Sequence, residues 1–129
     1  MKFSILMNGV TLLLKLKLKR HKFLRDMISV KNHRIVMKTK DGRTGKRFIM
    51  INGKFSADDV LTDYDLAYIW KDGDTAFKVL TSNDPTAMYR AQANWDLEME
   101  GDESISIWFS IFLGYATGVL KTGRQRRST

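Results

Sequence analysis

The sequence predicts an α+β domain in which a mostly antiparallel sheet is covered by helices, and three observations carry that expectation. Residues 34–40 (RIVMKTK) and 46–52 (KRFIMIN) are rich in β-branched and apolar side chains and flank DGRTG, which is the pattern of a β-hairpin. Trp95, Leu97 and Met99 alternate with Asp96, Glu98 and Glu100, the period-two pattern of a half-buried strand. Around these strands the apolar spacing turns helical, and residues 104–120 carry no charged side chain at all.

The chain has 129 residues, enough for one domain with its own hydrophobic core. A hydrophobic share of 43% and a charged share of 28% belong to a globular protein rather than a disordered one. Cysteine is absent, which excludes disulfides, thiolate zinc sites and catalytic thiols and fits a reducing, cytoplasmic setting. The first twenty residues have a single Lys ahead of their apolar part and no small-residue cleavage site, so they read as mature protein rather than a signal peptide. Net charge is +8, but it is polarised. Residues 1–54 carry fifteen Lys or Arg against two acids, and residues 55–120 carry three against twelve. A basic front half of this kind meets phosphates of nucleic acid or anionic lipid, or pairs with the acidic half inside the fold.

Taken in order, residues 3–28 read as helical with a break near Asn8-Gly9, placing Leu12, Leu13, Leu16, Phe23 and Leu24 near one stripe. The alternation in LLLKLKLK leaves a strand as the other option for residues 12–19. Lys15, Lys17, Lys19 and Lys22 make this segment a candidate for contact with an anionic membrane surface; the alternative is a helix that docks its Leu side and leaves its lysines in water. After the hairpin, Asn52-Gly53 turns the chain into a third strand at 54–61. Residues 62–65 resemble a helix cap, and Leu66, Ile69 and Trp70 follow at helical spacing, so a short helix is expected there. Asp72-Gly73-Asp74 ends that helix and caps the next, in which Phe77 and Leu80 share a face. Asn83-Asp84-Pro85 then starts another, with Pro at the first helical position after an Asp cap and Met88 on the inner face. The strand at 95–100 and the Gly101-Asp102 turn lead into the closing helix.

That helix is apolar on nearly every side, through Ile105, Trp108, Phe109, Ile111, Phe112, Leu113, Tyr115, Val119 and Leu120. It must therefore be buried in protein, in lipid or against a ligand. Its length sits at the lower limit for spanning a bilayer, and Gly114 and Gly118 have small-xxx-small spacing, but Ser104, Ser106, Ser110 and Thr117 reduce its hydrophobicity. The expected organisation is one domain over residues 1–120 and a basic, disordered tail over 121–129.

Particular residues then resemble the lipid-binding domain of the sterol carrier protein type 2 family. Ala57-Asp58-Asp59-Val60 looks like the end of its hairpin-rich sheet, Leu66-Ala67 like the Leu-Ala pair of a following helix, and Asp84-Pro85-Thr86-Ala87 like its Asp-Pro helix. Leu97-Glu98-Met99-Glu100-Gly101-Asp102 looks like its last strand and turn. The likeness covers residues 30–120; at the entry to the last strand this chain has Ala93-Asn94 where the family often has glycine. The resemblance implies a cavity between the sheet and its helices, closed by the apolar C-terminal helix, that takes up a fatty acyl chain or sterol-like lipid.

The residues expected to line it are Trp95, Leu97 and Met99 on one side of a strand, with Phe77, Met88, Ile105, Trp108, Phe109 and Phe112 from the covering helices. Seven methionines would make an adaptable wall, although the same side chains also suit a packed core without a cavity. No cofactor, metal or catalytic residue is expected. His21 and His33 lack partners at metal-ligand spacing, and no nucleophile motif is present. The reading is a non-catalytic carrier of a hydrophobic small molecule, cytoplasmic with peripheral membrane contact. The alternatives are a nucleic-acid-binding module using Phe23, Phe48 and Phe55 among the basic residues, and a membrane-associated interaction protein without a pocket.

Overall fold

The computed structural model describes residues 2–117; Gly118, Val119, Leu120 and the expected basic tail at 121–129 lie outside the described residues. The described part is α+β. Two helices, α1 (Lys2–Arg20) and α2 (Lys22–Ser29), precede strands β1 (His33–Thr39), β2 (Gly45–Ile51), β3 (Lys54–Asp58) and β4 (Leu66–Trp70). Helices α3 (Gly73–Leu80) and α4 (Ala87–Ala93), strand β5 (Leu97–Gly101) and helix α5 (Ser104–Thr117) follow. The sheet order is β3-β2-β1-β4-β5. Three of its pairings are antiparallel and β1–β4 is parallel.

Helix α1 runs unbroken through Asn8-Gly9 because Phe3, Met7, Leu14 and Leu18 recur on one stripe and all are buried. Packing of that stripe outweighs the helix-weakening glycine. The break falls at His21 instead, where the backbone is extended (φ −120°, ψ 106°). The Arg25 guanidinium donates to the carbonyls of Leu18 and Lys19 (2.8 and 3.0 Å), satisfying acceptors that α1 leaves open at its end. A methyl group at Gly9 would meet nothing within 4 Å. Gly9→Ala is therefore expected to raise stability by about 0.5–1 kcal/mol, read as a shift of the urea midpoint at constant slope; a loss would mean that α1 is not continuous there.

The hairpin forms as expected, and Asn52 and Gly53 (φ 54° and 74°) supply the two positive-φ positions of the tight turn into β3. The helix expected over 66–70 is a strand. Leu66, Ala67, Tyr68 and Trp70 are buried in β4, which sits between β1 and β5. A short apolar run buried on both faces has no alternation, so the helical spacing of Leu66, Ile69 and Trp70 arises without a helix. The end of the 62–65 segment is tied to the sheet: the Asp65 N–H donates to the Arg34 carbonyl and the Asp65 carboxylate accepts from the Arg34 N–H, each 2.8 Å.

Part of the charge polarity is resolved inside the fold. Arg47 grips the Asp58 carboxylate with two bonds (3.0 and 2.7 Å) and donates to the Asp63 carbonyl, while Lys46 pairs with Asp59 and Lys38 donates to the Leu61 carbonyl. These basic residues of the front half thus fasten the connection between β3 and β4 over the sheet. Among the described residues, no ion pair involves Lys15, Lys17, Lys19 or Lys22.

The helices pack on the sheet face that carries Ile35, Met37, Phe48, Met50, Leu66, Tyr68 and Trp70, and this is where the core lies. Asp72 caps α3 by accepting from the Thr75 N–H (2.7 Å). Asp84 accepts from the Thr86 N–H and hydroxyl (2.8 and 2.7 Å), so Pro85 belongs to the turn that leads into α4 rather than to its first helical position. Asp102 accepts from the Ser104 N–H and hydroxyl (3.0 and 2.6 Å), starting α5.

Candidate functional site

An apolar pocket of ≈ 370 Å³ lies between the centre of the sheet and four helices. Its floor is Met37 of β1, Phe48 of β2 and Tyr68 of β4, which point to the same face because their registers align across the three strands. One wall is α1, through Leu6, Met7, Val10, Leu13 and Leu14. The opposite wall is α5, through Phe109, Leu113 and Gly114, with Ser110 and Thr117 on the same helix. Val79 and Leu80 at the end of α3, Ser82 and Asp84 of the following loop, and Ala87 and Met88 of α4 close the remaining side. The volume is within the range of small-molecule sites, roughly 300–1,000 Å³.

Some polar groups on the pocket are engaged within the protein, while the hydroxyls of Tyr68 and Ser110 make no hydrogen bond among the described residues. The Thr117 hydroxyl donates to the Leu113 carbonyl (2.7 Å), and the Ser82 hydroxyl accepts from the Asp84 N–H (3.0 Å). The Asp84 carboxyl is held below the usual carboxylate range by the Thr86 N–H and hydroxyl, and it faces Arg90 at 3.4 Å. Tyr68 is 2% exposed, and burial pushes its phenol well above the ordinary value, so the hydroxyl keeps its proton. The ring packs against Phe109, with centroids 6.1 Å apart.

Of the residues expected to line a cavity, Met88 and Phe109 do so. Leu97, Ile105 and Phe112 are buried in the core outside the pocket wall. Trp108 lies against His33 (4.7 Å between ring centroids), whose burial, with Lys31 nearby, lowers the imidazole pKa. Phe77 is half-buried on α3 beneath the Lys2 ammonium, 5.8 Å from the ring centre. Trp95 is the clearest correction. It is 77% exposed with φ 62°, because the chain is still leaving α4 at that point and the strand begins only at Leu97. Trp95, Leu97 and Met99 meet instead at a shallow edge groove with Gln92, Glu98 and Glu103.

Sequence reasoning missed most of the pocket wall, including all of its α1 side, the floor residues Met37, Phe48 and Tyr68, and Val79, Leu80 and Leu113. Leu6, Val10 and Leu13 recur at i, i+4 and i+7 beside the buried stripe, a signal that a wider helical face would have revealed. Tyr68 was hidden by the helical reading of residues 66–70. On the outward side of α1, Ile5, Leu12 and Leu16 are exposed together with Lys15 and Lys19, while Lys22 is exposed on α2 and Lys17 is half-buried. Of the aromatics considered for base stacking, Phe48 is fully buried and offers no open face to a base, while Phe55 is half-buried, stacks on Phe48 and borders a shallow groove with Lys15, Lys19 and Arg25. Phe23 is half-exposed, edge-on to Tyr115.

No family model and no curated protein sequence matches the chain. Among solved structures, it is similar to a UbiJ-SCP2 ubiquinone synthesis protein, with TM-score 0.64 and 18% identity over 87% of this chain and 96% of that one. It is also similar to a variant of the sec-alkyl sulfatase PisA1, with TM-score 0.51 and 14% identity. That match covers 76% of this chain but only 14% of the sulfatase. The chain has a sterol carrier protein type 2-like fold. Among the described residues, no helix is long and apolar enough to cross a membrane.

Proposed function

We propose that this chain is a non-catalytic carrier that sequesters a hydrophobic small molecule, of fatty acyl or sterol-like character, in the pocket between α1, α5 and the sheet. The observation that carries this reading is the pocket itself: ≈ 370 Å³ walled by aliphatic, methionine and aromatic side chains, in a fold of the sterol carrier type. The functional unit is residues 1–120, with the basic 121–129 segment as an appendage. The test is native mass spectrometry of the purified protein, followed by organic extraction. A discrete adduct that extracts as one lipid class supports the carrier. Failure of added acyl chains and sterols to bind, together with steeply salt-dependent binding of a random oligonucleotide, would replace it with the nucleic-acid reading.

Loading takes place at an anionic membrane from the cytoplasmic side, with α1 and the start of α2 as the docking element. Support comes from the absence of any ion pair on Lys15, Lys17, Lys19 and Lys22 among the described residues, and from the outward Ile5, Leu12 and Leu16 beside them. Each cation near an anionic surface contributes about 1 kcal/mol, so replacing all four with Gln is expected to weaken binding to phosphatidylserine vesicles by about a hundredfold or more. Affinity for lipid in solution is expected to stay unchanged, since none of the four lines the pocket. Equal loss of both activities in cosedimentation and titration would reject this division of labour.

A further inference from the structure

Two hydroxyl-bearing residues on the pocket, Tyr68 and Ser110, make no hydrogen bond among the described residues, and of the two only Tyr68 is buried. Among the described residues, no hydrogen bond is made by the Tyr68 hydroxyl, although Tyr68 is almost fully buried. It differs from the two polar atoms that are sealed without partners, His33 Nδ1 and Trp70 Nε1, because Tyr68 faces the open volume. Its position leaves little freedom. Tyr68 stands on the inner strand β4, paired in register with Met37 of β1 and Met99 of β5, and its ring is braced by Phe109. A buried phenol fixed in this way is a donor waiting for an acceptor.

The rest of the wall says which acceptor. Among the described residues, no Lys, Arg or His lines the pocket, so no described side chain on it would stabilise an anion. Asp84, the one charged residue on it among the described residues, stays ionised through the Thr86 bonds beside Arg90 and disfavours a second carboxylate. Of its other hydroxyls, Thr117 donates to the Leu113 carbonyl, Ser82 accepts from the Asp84 N–H, and Ser110 is exposed at the rim rather than buried in the floor.

We propose that the pocket selects a neutral amphiphile, an alcohol, ketone or ester on an apolar body, and seats its oxygen on the Tyr68 hydroxyl, discriminating against carboxylates. The inference rests on the carrier reading above and narrows its ligand class. The apolar body packs along Leu6, Val10 and Leu13 on one side and Phe109 and Leu113 on the other. A pure hydrocarbon fits the same space but leaves the phenol unpaired, and a fatty acid must first shed its charge.

The experiment compares dodecanol, dodecanoate and dodecane by displacement of a polarity-sensitive naphthalene dye near neutral pH, in the unmodified protein and in Tyr68→Phe. The unmodified protein is expected to bind dodecanol about tenfold more tightly than dodecane and at least tenfold more tightly than dodecanoate. Tyr68→Phe is expected to lose the preference over dodecane while binding dodecane as before. Equal affinity for dodecanol and dodecane in the unmodified protein overturns the role of Tyr68, and so does an unchanged preference in a folded Tyr68→Phe. Dodecanoate as the tightest ligand overturns the selection for neutral oxygen. Each of these results leaves the carrier reading standing. If neither the dye nor any of the three binds, the carrier reading itself fails, and this inference fails with it. The ligand ranking in the unmodified protein decides the matter even if Tyr68→Phe does not fold.

Discussion

Replacing Ala87 with Trp is expected to reduce ligand binding by about a hundredfold or more while leaving the fold intact. Ala87 opens α4, is half-buried and lines the pocket, so an indole placed there occupies a large part of the ≈ 370 Å³ that the ligand would use. The substitution adds volume to empty space rather than to close-packed core, so it avoids the 1–3 kcal/mol or so that overpacking usually costs. Far-UV circular dichroism and thermal unfolding monitor the fold, and titration with dodecanol monitors binding. Undiminished binding in a folded variant would move the ligand elsewhere, the edge groove at Trp95 and Met99 being the alternative place to look.

Gly101→Ala is expected to destabilise the protein by about 3–5 kcal/mol, the largest effect of any single methyl group considered. Gly101 has φ 107°, where an L side chain is strained, and a methyl group there would sit 2.3 Å from the Asp65 carbonyl oxygen. That oxygen also accepts from the Asp102 N–H (2.8 Å), and Gly101 is the register partner of Leu66. Relieving the clash therefore pulls β5 from β4 and disturbs the start of α5, the helix that forms one wall of the pocket. Urea unfolding measures the loss directly. A cost near the half kilocalorie or so typical of a surface change would mean that this junction is not built as described. The contrast with Gly9, where the same methyl group meets open space, separates a glycine that the fold requires from one it tolerates.

Much of the architecture was legible in local chemistry. The DGRTG hairpin, the Asn52-Gly53 turn, the Asp72 cap and the Gly101-Asp102 junction each rest on a side chain bonding to backbone a few residues away, or on a position that needs positive φ. Errors occurred where distant partners decide. Residues 66–70 carry both a helical spacing and a buried-strand composition, and the choice depends on β1 and β5, neither of which is adjacent in sequence. The alternation of Trp95 with Leu97 and Met99 looked continuous, but a strand face is defined only where a neighbouring strand pairs, and the pairing with β4 begins at Leu97.

The candidate site was legible only in outline. An apolar closing helix and a set of methionines and aromatics indicated that something greasy is enclosed, and Met88 and Phe109 are where that something would lie. By itself, the sequence determined the α+β class, much of the strand-turn-helix punctuation and the segregation of charge, because each depends on near neighbours or on composition. The burial expected all around the apolar helix at 104–120 is not met within its described part, where Ile107 and Ile111 are exposed. Only the tertiary structure decided the rest. It set β4 between β1 and β5, put Leu6, Val10 and Leu13 of α1 on the pocket wall opposite α5, paired the basic hairpin with Asp58 of β3 and Asp59 beyond it, and placed Tyr68 on the pocket floor. A pocket is a space that packing fails to fill, and which side chains border it depends on how separate elements meet.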